Sequence, residues 1–170
     1  GLLEQALGED VNLVNAQVLL HERGIELETE EQEGRGAFRS SVVAEIVSAD
    51  GVKHRAAGTL FGETMPRLVE LDGYRLEAYL DGCLLIFQHQ DVAGIIGGGG
   101  AICGEHQINI AQVAVGRAGD QPSGKAVGVL NLDSSPSDEA LEAVRQLPAI
   151  SSAVVIHLPS AGSAPSWLEG

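Results

Sequence analysis

The segment His89-Gln90-Asp91-Val92-Ala93-Gly94 sets an imidazole and a carboxylate two residues apart, directly before an apolar stretch that opens at Ile95. Between the end of a strand and the start of a helix, such a loop is suited to an amino acid. The unpaired N–H groups of a helix's first turn bind an α-carboxylate, and Asp91 pairs with an ammonium group. Gly94 and Asn109 add to this constellation. Other arrangements fall short of the chemistry they resemble. Gly119 to Lys125 fits the first seven positions of a phosphate-binding loop, but the eighth must be Ser or Thr to hold Mg²⁺ and is Ala126. A strand pattern, not a helix, follows it, so the segment reads as a hairpin loop. Gly97 to Gly100 completes no G-x-G-x-x-G fingerprint, because Ile102 and Cys103 stand where the two possible frames need the last glycine. His21, His54, His89, His106 and His157 are scattered, with no cysteine or carboxylate at metal-ligand spacing, and no metal site is expected. No nucleophile elbow is present and neither cysteine neighbours a base in sequence, so no catalytic residue is expected either.

Two groups of elements must position these residues. Val11, Val14, Ala16, Val18 and Leu19 recur at helical spacing between Asp10 and Arg23, with Gly24 where a helix would stop. Alternation then takes over through Ile25, Leu27, Val42, Val43, Ile46 and Val47, broken by Glu33-Gly34-Arg35-Gly36 and Asp50-Gly51. Asp50-Gly51 predicts a type I′ hairpin, with both central residues at positive φ. Strands are predicted over 53–61, 68–71 and 74–80, the last two joined at Asp72-Gly73. The four glutamates at 28, 30, 31 and 33 read as a solvated run.

From Cys83 the pattern gives a strand over 83–87, a helix over 95–105, strands over 108–115 and 125–132, a helix over 137–146 and a strand over 152–158. That order, β-α-β-β-α-β, is the ferredoxin-like split unit. Ser137 with Asp138 and Glu139 makes a good helix start. The strand from Ile108 carries alternation suited to an edge that pairs with a second subunit. The predicted class is α+β: an antiparallel-sheet domain with a helix over 1–81, the split unit over 82–159, and a Ser-, Ala-, Gly- and Pro-rich tail over 160–170 expected to be disordered.

Composition narrows the partners. A net charge of −14 with ten Lys and Arg argues against nucleic acid and anionic membrane surfaces. No apolar stretch is long enough to span a membrane and no signal peptide is visible, so a cytoplasmic location is expected. The chain opens at Gly1 in mid-pattern, as a piece of something longer would. Cys83 and Cys103 are expected to be buried and unbridged.

At this level the residues resemble a known family. Val14-Asn15-Ala16, Leu20-His21-Glu22-Arg23-Gly24-Ile25 and Ala57-Gly58-Thr59-Leu60-Phe61-Gly62 are similar to the intervening domain of long-form D-3-phosphoglycerate dehydrogenases. His89 to Gly97, followed by Ile108-Asn109-Ile110-Ala111, resembles that family's ACT signature, with Val92-Ala93 in place of the usual Arg-Pro and four glycines opening the helix. The resemblance runs from about Val11 to about Leu158. It implies an ACT domain that binds L-serine, or a related amino acid, between paired subunits for feedback control of serine biosynthesis. His89, Asp91, Gly94 and Ile95 would contact the effector and Asn109 would reach it from the other subunit. It also implies NAD-dependent catalytic domains N-terminal to Gly1, with no cofactor in this chain. Some members bind an anion in the intervening domain through two basic positions; Arg67 matches one and Tyr79 falls at the other. Two alternatives stay open: a dimerisation module whose amino-acid site has decayed, and the corresponding region of an L-serine dehydratase.

Overall fold

In the computed structural model, residues 15–31, 40–117 and 124–163 are described. Helix α1, Ala16–Glu22, belongs to a unit of its own. It ends as a Schellman motif: Gly24 takes φ 71°, its N–H donates to the His21 carbonyl at 3.0 Å, and the Ile25 N–H reaches back to Leu20 at 3.0 Å. Those two bonds satisfy carbonyls that a helix C-terminus otherwise leaves unpaired. The predicted start at Asp10 and the turn at Gly34 to Gly36 lie outside the described residues, as does most of Gly119 to Lys125.

The eight strands of the described residues lie in the second compact unit, Phe38–Gly162. They are β1 Ser41–Val47, β2 Lys53–Phe61, β3 Met65–Leu71, β4 Tyr74–Tyr79, β5 Gly82–Gln90, β6 Ile110–Arg117, β7 Lys125–Leu132 and β8 Ile150–Leu158. Helices α2, Ile95–Glu105, and α3, Asp138–Arg145, complete it. The strands form one sheet in the order β1-β2-β3-β4-β6-β7-β5-β8. Its second half, β6-β7-β5-β8 with α2 and α3, has the connectivity of the ferredoxin-like split unit.

β5 runs on to Gln90, so His89 lies in the strand and not in the loop after it, and β3 begins at Met65, not Leu68. Two further details differ from the sequence reading. The β1–β2 turn is not type I′, because Gly51 has positive φ and Asp50 does not. The Ser48 N–H bonds the Val52 carbonyl at 2.9 Å and the Gly51 N–H bonds Ser48 at 2.8 Å, which makes a three-residue loop closed by a left-handed glycine. Ser48 Oγ donates to Asp50 Oδ1 at 2.5 Å, and with the Val52 N–H this holds the Asp50 carboxyl below its usual pKa. The two-residue turn with both central φ positive occurs instead at Asp72 (48°) and Gly73 (84°). The second difference is that β6 is not an edge. It starts at Ile110, not Ile108, and its outer side faces β4, joined through the Arg75–Arg117 pair and through Gln112. The Gln112 side chain accepts from the Tyr79 N–H at 2.9 Å and donates to the Glu77 carbonyl at 3.2 Å. The edges of the described sheet are β1 and β8.

Alternation splits the core in two. One side of β5 and β7 (Leu85, Phe87, Leu130 and Leu132) packs with Cys103 of α2 and with Ala140 and Val144 of α3. The other side (Leu84 and Val129, with Ala114 of β6) packs with Leu68 of β3 and Ala78 of β4. Ser137 caps α3 as expected, its Oγ accepting the Ala140 N–H at 3.2 Å. Cys83 and Cys103 are both buried and free, and burial raises the Cys103 pKa, which keeps it a thiol.

Helix α2 forms through all four glycines. An added Cβ at Gly100 would meet nothing within 4 Å, whereas Gly94, the N-cap, is left-handed at φ 90°. Gly100→Ala is therefore expected to raise stability by about 0.8–1.0 kcal/mol through helix propensity and lost unfolded-state entropy. Gly94→Ala is expected to lower it by about 1–2 kcal/mol, the cost of forcing a Cβ into that region. Urea midpoints of the two variants should move in opposite directions; a shared direction would contradict the assigned N-cap conformation.

Candidate functional site

Pairing register brings the site together. His89 sits opposite Ala126 on β7, and Ala126 sits opposite Arg117 on β6, so the three form one cross-strand row on the helix-covered side of the sheet. The neighbouring row is Phe87, Gly128 and Val115. Above the ends of these rows the chain leaves β5, passes through Asp91 to Gly94 and enters α2. The result is a cleft of about 610 Å³ lined by His89, Asp91, Gly94, Ile95, Val115 and Arg117, among others.

His89 is the most buried polar side chain of the cleft, at 3 % exposure. Its Nδ1 lies 2.7 Å from the Gln90 carbonyl oxygen. A carbonyl can only accept, so Nδ1 carries the hydrogen and Nε2 of the neutral ring is an acceptor. Nε2 is buried with no hydrogen-bond partner among the described residues. The ring is also held by Phe87, with centroids 5.5 Å apart and planes tilted by 39°.

Asp91 is anchored by its own N–H, which donates to the Gly124 carbonyl at 2.8 Å. Its side chain is 14 % exposed, and Oδ2 lies 2.8 Å from Nε of Arg117, which is 55 % exposed. That distance makes an ion pair. The geometry does not make a hydrogen bond, and among the described residues no donor is aimed at the buried Oδ2. Gly94 supplies no capping side chain, so the first-turn N–H groups of α2 have no side-chain acceptor there. Ile95 is buried and closes the cleft on the helix side.

Four of the five residues proposed for an effector therefore line one cleft: His89, Asp91, Gly94 and Ile95. Asn109 does not. It precedes Ile110, which pairs near Leu132, the far end of β7 from Ala126, about 20 Å away at the strand rise. Its Nδ2 donates to Asp133 Oδ2 at 2.6 Å. Arg67 lies elsewhere, in β3, with its guanidinium 4.3 Å from the Tyr79 ring and 5.4 Å from that of Phe61. Its Nη1 donates to the Pro66 carbonyl at 2.9 Å, while Nε is buried and has no partner among the described residues. Tyr79, at the position expected for a second basic residue, instead gives Arg67 a π face.

Arg117 and Val115 were not anticipated from sequence. The alternation Val113, Val115, Arg117 puts all three on one face, but which strand that face adjoins depends on register, and no local pattern encodes register here. Among the described residues no group of three or more His, Cys, Asp or Glu is placed to hold a metal ion. No helix of the described residues is long and apolar enough to cross a membrane.

Comparison with known proteins agrees with this architecture. Residues 1–72 match the family described as the D-3-phosphoglycerate dehydrogenase intervening domain, and residues 84–149 match the ACT domain. The chain is 35% identical over 158 residues to D-3-phosphoglycerate dehydrogenase of Archaeoglobus fulgidus, covering 93% of this chain and 30% of that protein. It is 34% identical to the enzyme of the same name from Methanocaldococcus jannaschii, covering 93% of this chain and 29% of that protein. The match to the Bacillus subtilis enzyme of that name is 31% identical over 94% of this chain and 30% of the relative. The chain thus spans about 30% of the length of the curated relatives it matches. With an intervening domain and an ACT domain in that order, the chain corresponds to the C-terminal regulatory region of D-3-phosphoglycerate dehydrogenases.

Proposed function

We propose that this chain is the effector-sensing part of a D-3-phosphoglycerate dehydrogenase and that its ACT cleft binds L-serine for feedback control of serine biosynthesis. The observation that carries the reading is the buried, unpartnered Nε2 of His89, beside Asp91 and the start of α2. A buried acceptor left unpaired costs free energy, and a small ligand with a hydroxyl or ammonium donor relieves that cost. L-Serine offers both donors, with a carboxylate for the first-turn N–H groups.

The site is completed by a second copy. Val113 and Val115 lie on the helix side of β6 yet stay exposed, beside the cleft and beyond the cover of α2 and α3. A subunit laid against that surface would bring its own Asn109 towards the effector. Ligand shared between subunits favours one arrangement of the interface, which is the physical requirement for action on a distant active site. That active site, with NAD, belongs to the parent protein's catalytic domains, and the location is cytoplasmic. Gly97 to Gly100 lies inside α2, not in a turn between strand and helix, so these residues do not form a pyrophosphate cradle.

Thermal unfolding with and without L-serine, combined with sedimentation, tests the proposal. L-Serine at a hundred times its dissociation constant is expected to stabilise the protein by about 2.7 kcal/mol and to increase the dimer fraction. A dimer that shows no shift with L-serine at millimolar concentration would identify a dimerisation module with a decayed site.

A further inference from the structure

We infer that Arg117 is a ligand-binding residue of the cleft: it and Asp91 form a charge pair that opens to take a zwitterion, the carboxylate shared by Arg117 and the first-turn N–H groups of α2 and the ammonium on Asp91. This rests on the amino-acid reading above. Asp91 is not free to receive an ammonium group, because the Arg117 guanidinium already occupies its Oδ2 side at 2.8 Å. A cationic ligand that simply displaced Arg117 would lose that attraction and gain nothing for the arginine. A ligand carrying both charges keeps both residues compensated, since its ammonium replaces the guanidinium and its carboxylate follows it.

Three features show a pair poised to open rather than a structural bridge. Nε is within ion-pair distance but donates no hydrogen bond to Oδ2. The ion pair runs through Nε, and Nη1 and Nη2 form the two-pronged donor edge that matches a carboxylate. Arg117 is also more than half exposed while Asp91 is largely buried, so the arginine can swing outwards while the carboxylate stays. Among the lining residues Arg117 bears the one permanent positive charge, in a chain whose net charge of −14 otherwise repels anions.

The test separates the ligand's charges. L-Serine, ethanolamine (ammonium and hydroxyl only) and 3-hydroxypropionate (carboxylate and hydroxyl only) are titrated by calorimetry into the 170-residue chain, into Arg117→Gln and into Arg117→Lys. Each variant is first shown by circular dichroism to be folded. The wild type is expected to prefer L-serine over ethanolamine by tenfold or more. Arg117→Gln should weaken L-serine about tenfold and leave ethanolamine unchanged or tighter, and Arg117→Lys should restore part of the preference. If Arg117→Gln keeps the full serine-to-ethanolamine ratio, or binds L-serine more tightly, Arg117 is not the carboxylate's partner while the effector reading stands. If the wild type binds none of the three, the effector reading itself fails and this inference falls with it.

Discussion

Gly128→Ala is expected to destabilise the protein by about 2–3 kcal/mol, a large loss for the addition of one methyl group to a strand. The reason is Phe87, directly opposite in the register and 1 % exposed. A Cβ at position 128 would lie 2.4 Å from Cζ and 2.6 Å from Cε2 of the ring, far inside contact distance. On its other side Phe87 is paired with Ala153 of β8, so the ring occupies room left by two small residues. It belongs to the core shared with α2 and α3, where overpacking forces side chains off their preferred rotamers. Urea unfolding of Gly128→Ala, Phe87→Leu and the double variant checks this. Phe87→Leu alone should cost about 1–2 kcal/mol in lost burial. The double variant should be more stable than the sum by over about 1 kcal/mol, because the smaller side chain removes the clash. Strict additivity would show that ring and glycine do not compete for the same space. Because Phe87 supports the His89 ring at 5.5 Å, the single variant should also weaken effector binding.

The same pair of residues shows what the sequence carries and what it leaves open. That 83–87 is a buried strand, 95–105 a helix and 125–132 a strand follows from local periodicity; the last two have the expected bounds, and β5 runs on to Gln90 and takes His89 into the strand. Asp91, Gly94 and His89 are legible because they are close in sequence and flank a helix start. Arg117 is not, since it enters the cleft only through the pairing of β6 with β7, 28 residues beyond His89 (117 − 89). The two Asp-Gly turns illustrate a similar limit. Both dipeptides permit a type I′ turn, yet only Asp72-Gly73 adopts one; at Asp50-Gly51 the Ser48 and Asp50 side chains support a longer loop. The free edge expected for the strand after Asn109 depends on what else the chain lays beside it. Gln112, bonded to the backbone of Glu77 and Tyr79, is a tertiary contact that no alternation pattern reports.

Asp91→Asn is expected to weaken L-serine binding by about tenfold to a hundredfold, the equivalent of losing a charge-assisted hydrogen bond worth roughly 1.5–3 kcal/mol. The substitution keeps the side chain's size and one carbonyl oxygen, so what it removes is the negative charge. Stability without ligand should barely change. The partner left behind, Arg117, is 55 % exposed and remains hydrated after the pair is broken, so no buried charge is orphaned. Removing the arginine is the asymmetric case: Asp91, 14 % exposed and with Oδ2 buried, would lose its counter-charge in a site that hydrates it poorly. Thermal unfolding should therefore show Asp91→Asn close to wild type without L-serine and well below it at a serine concentration that saturates the wild type. Glu31→Gln, in the exposed acidic run, should match wild type in both conditions. An Asp91→Asn protein that keeps the full serine-dependent shift would remove Asp91 from the site, and with it the pairing of its carboxylate to an ammonium group.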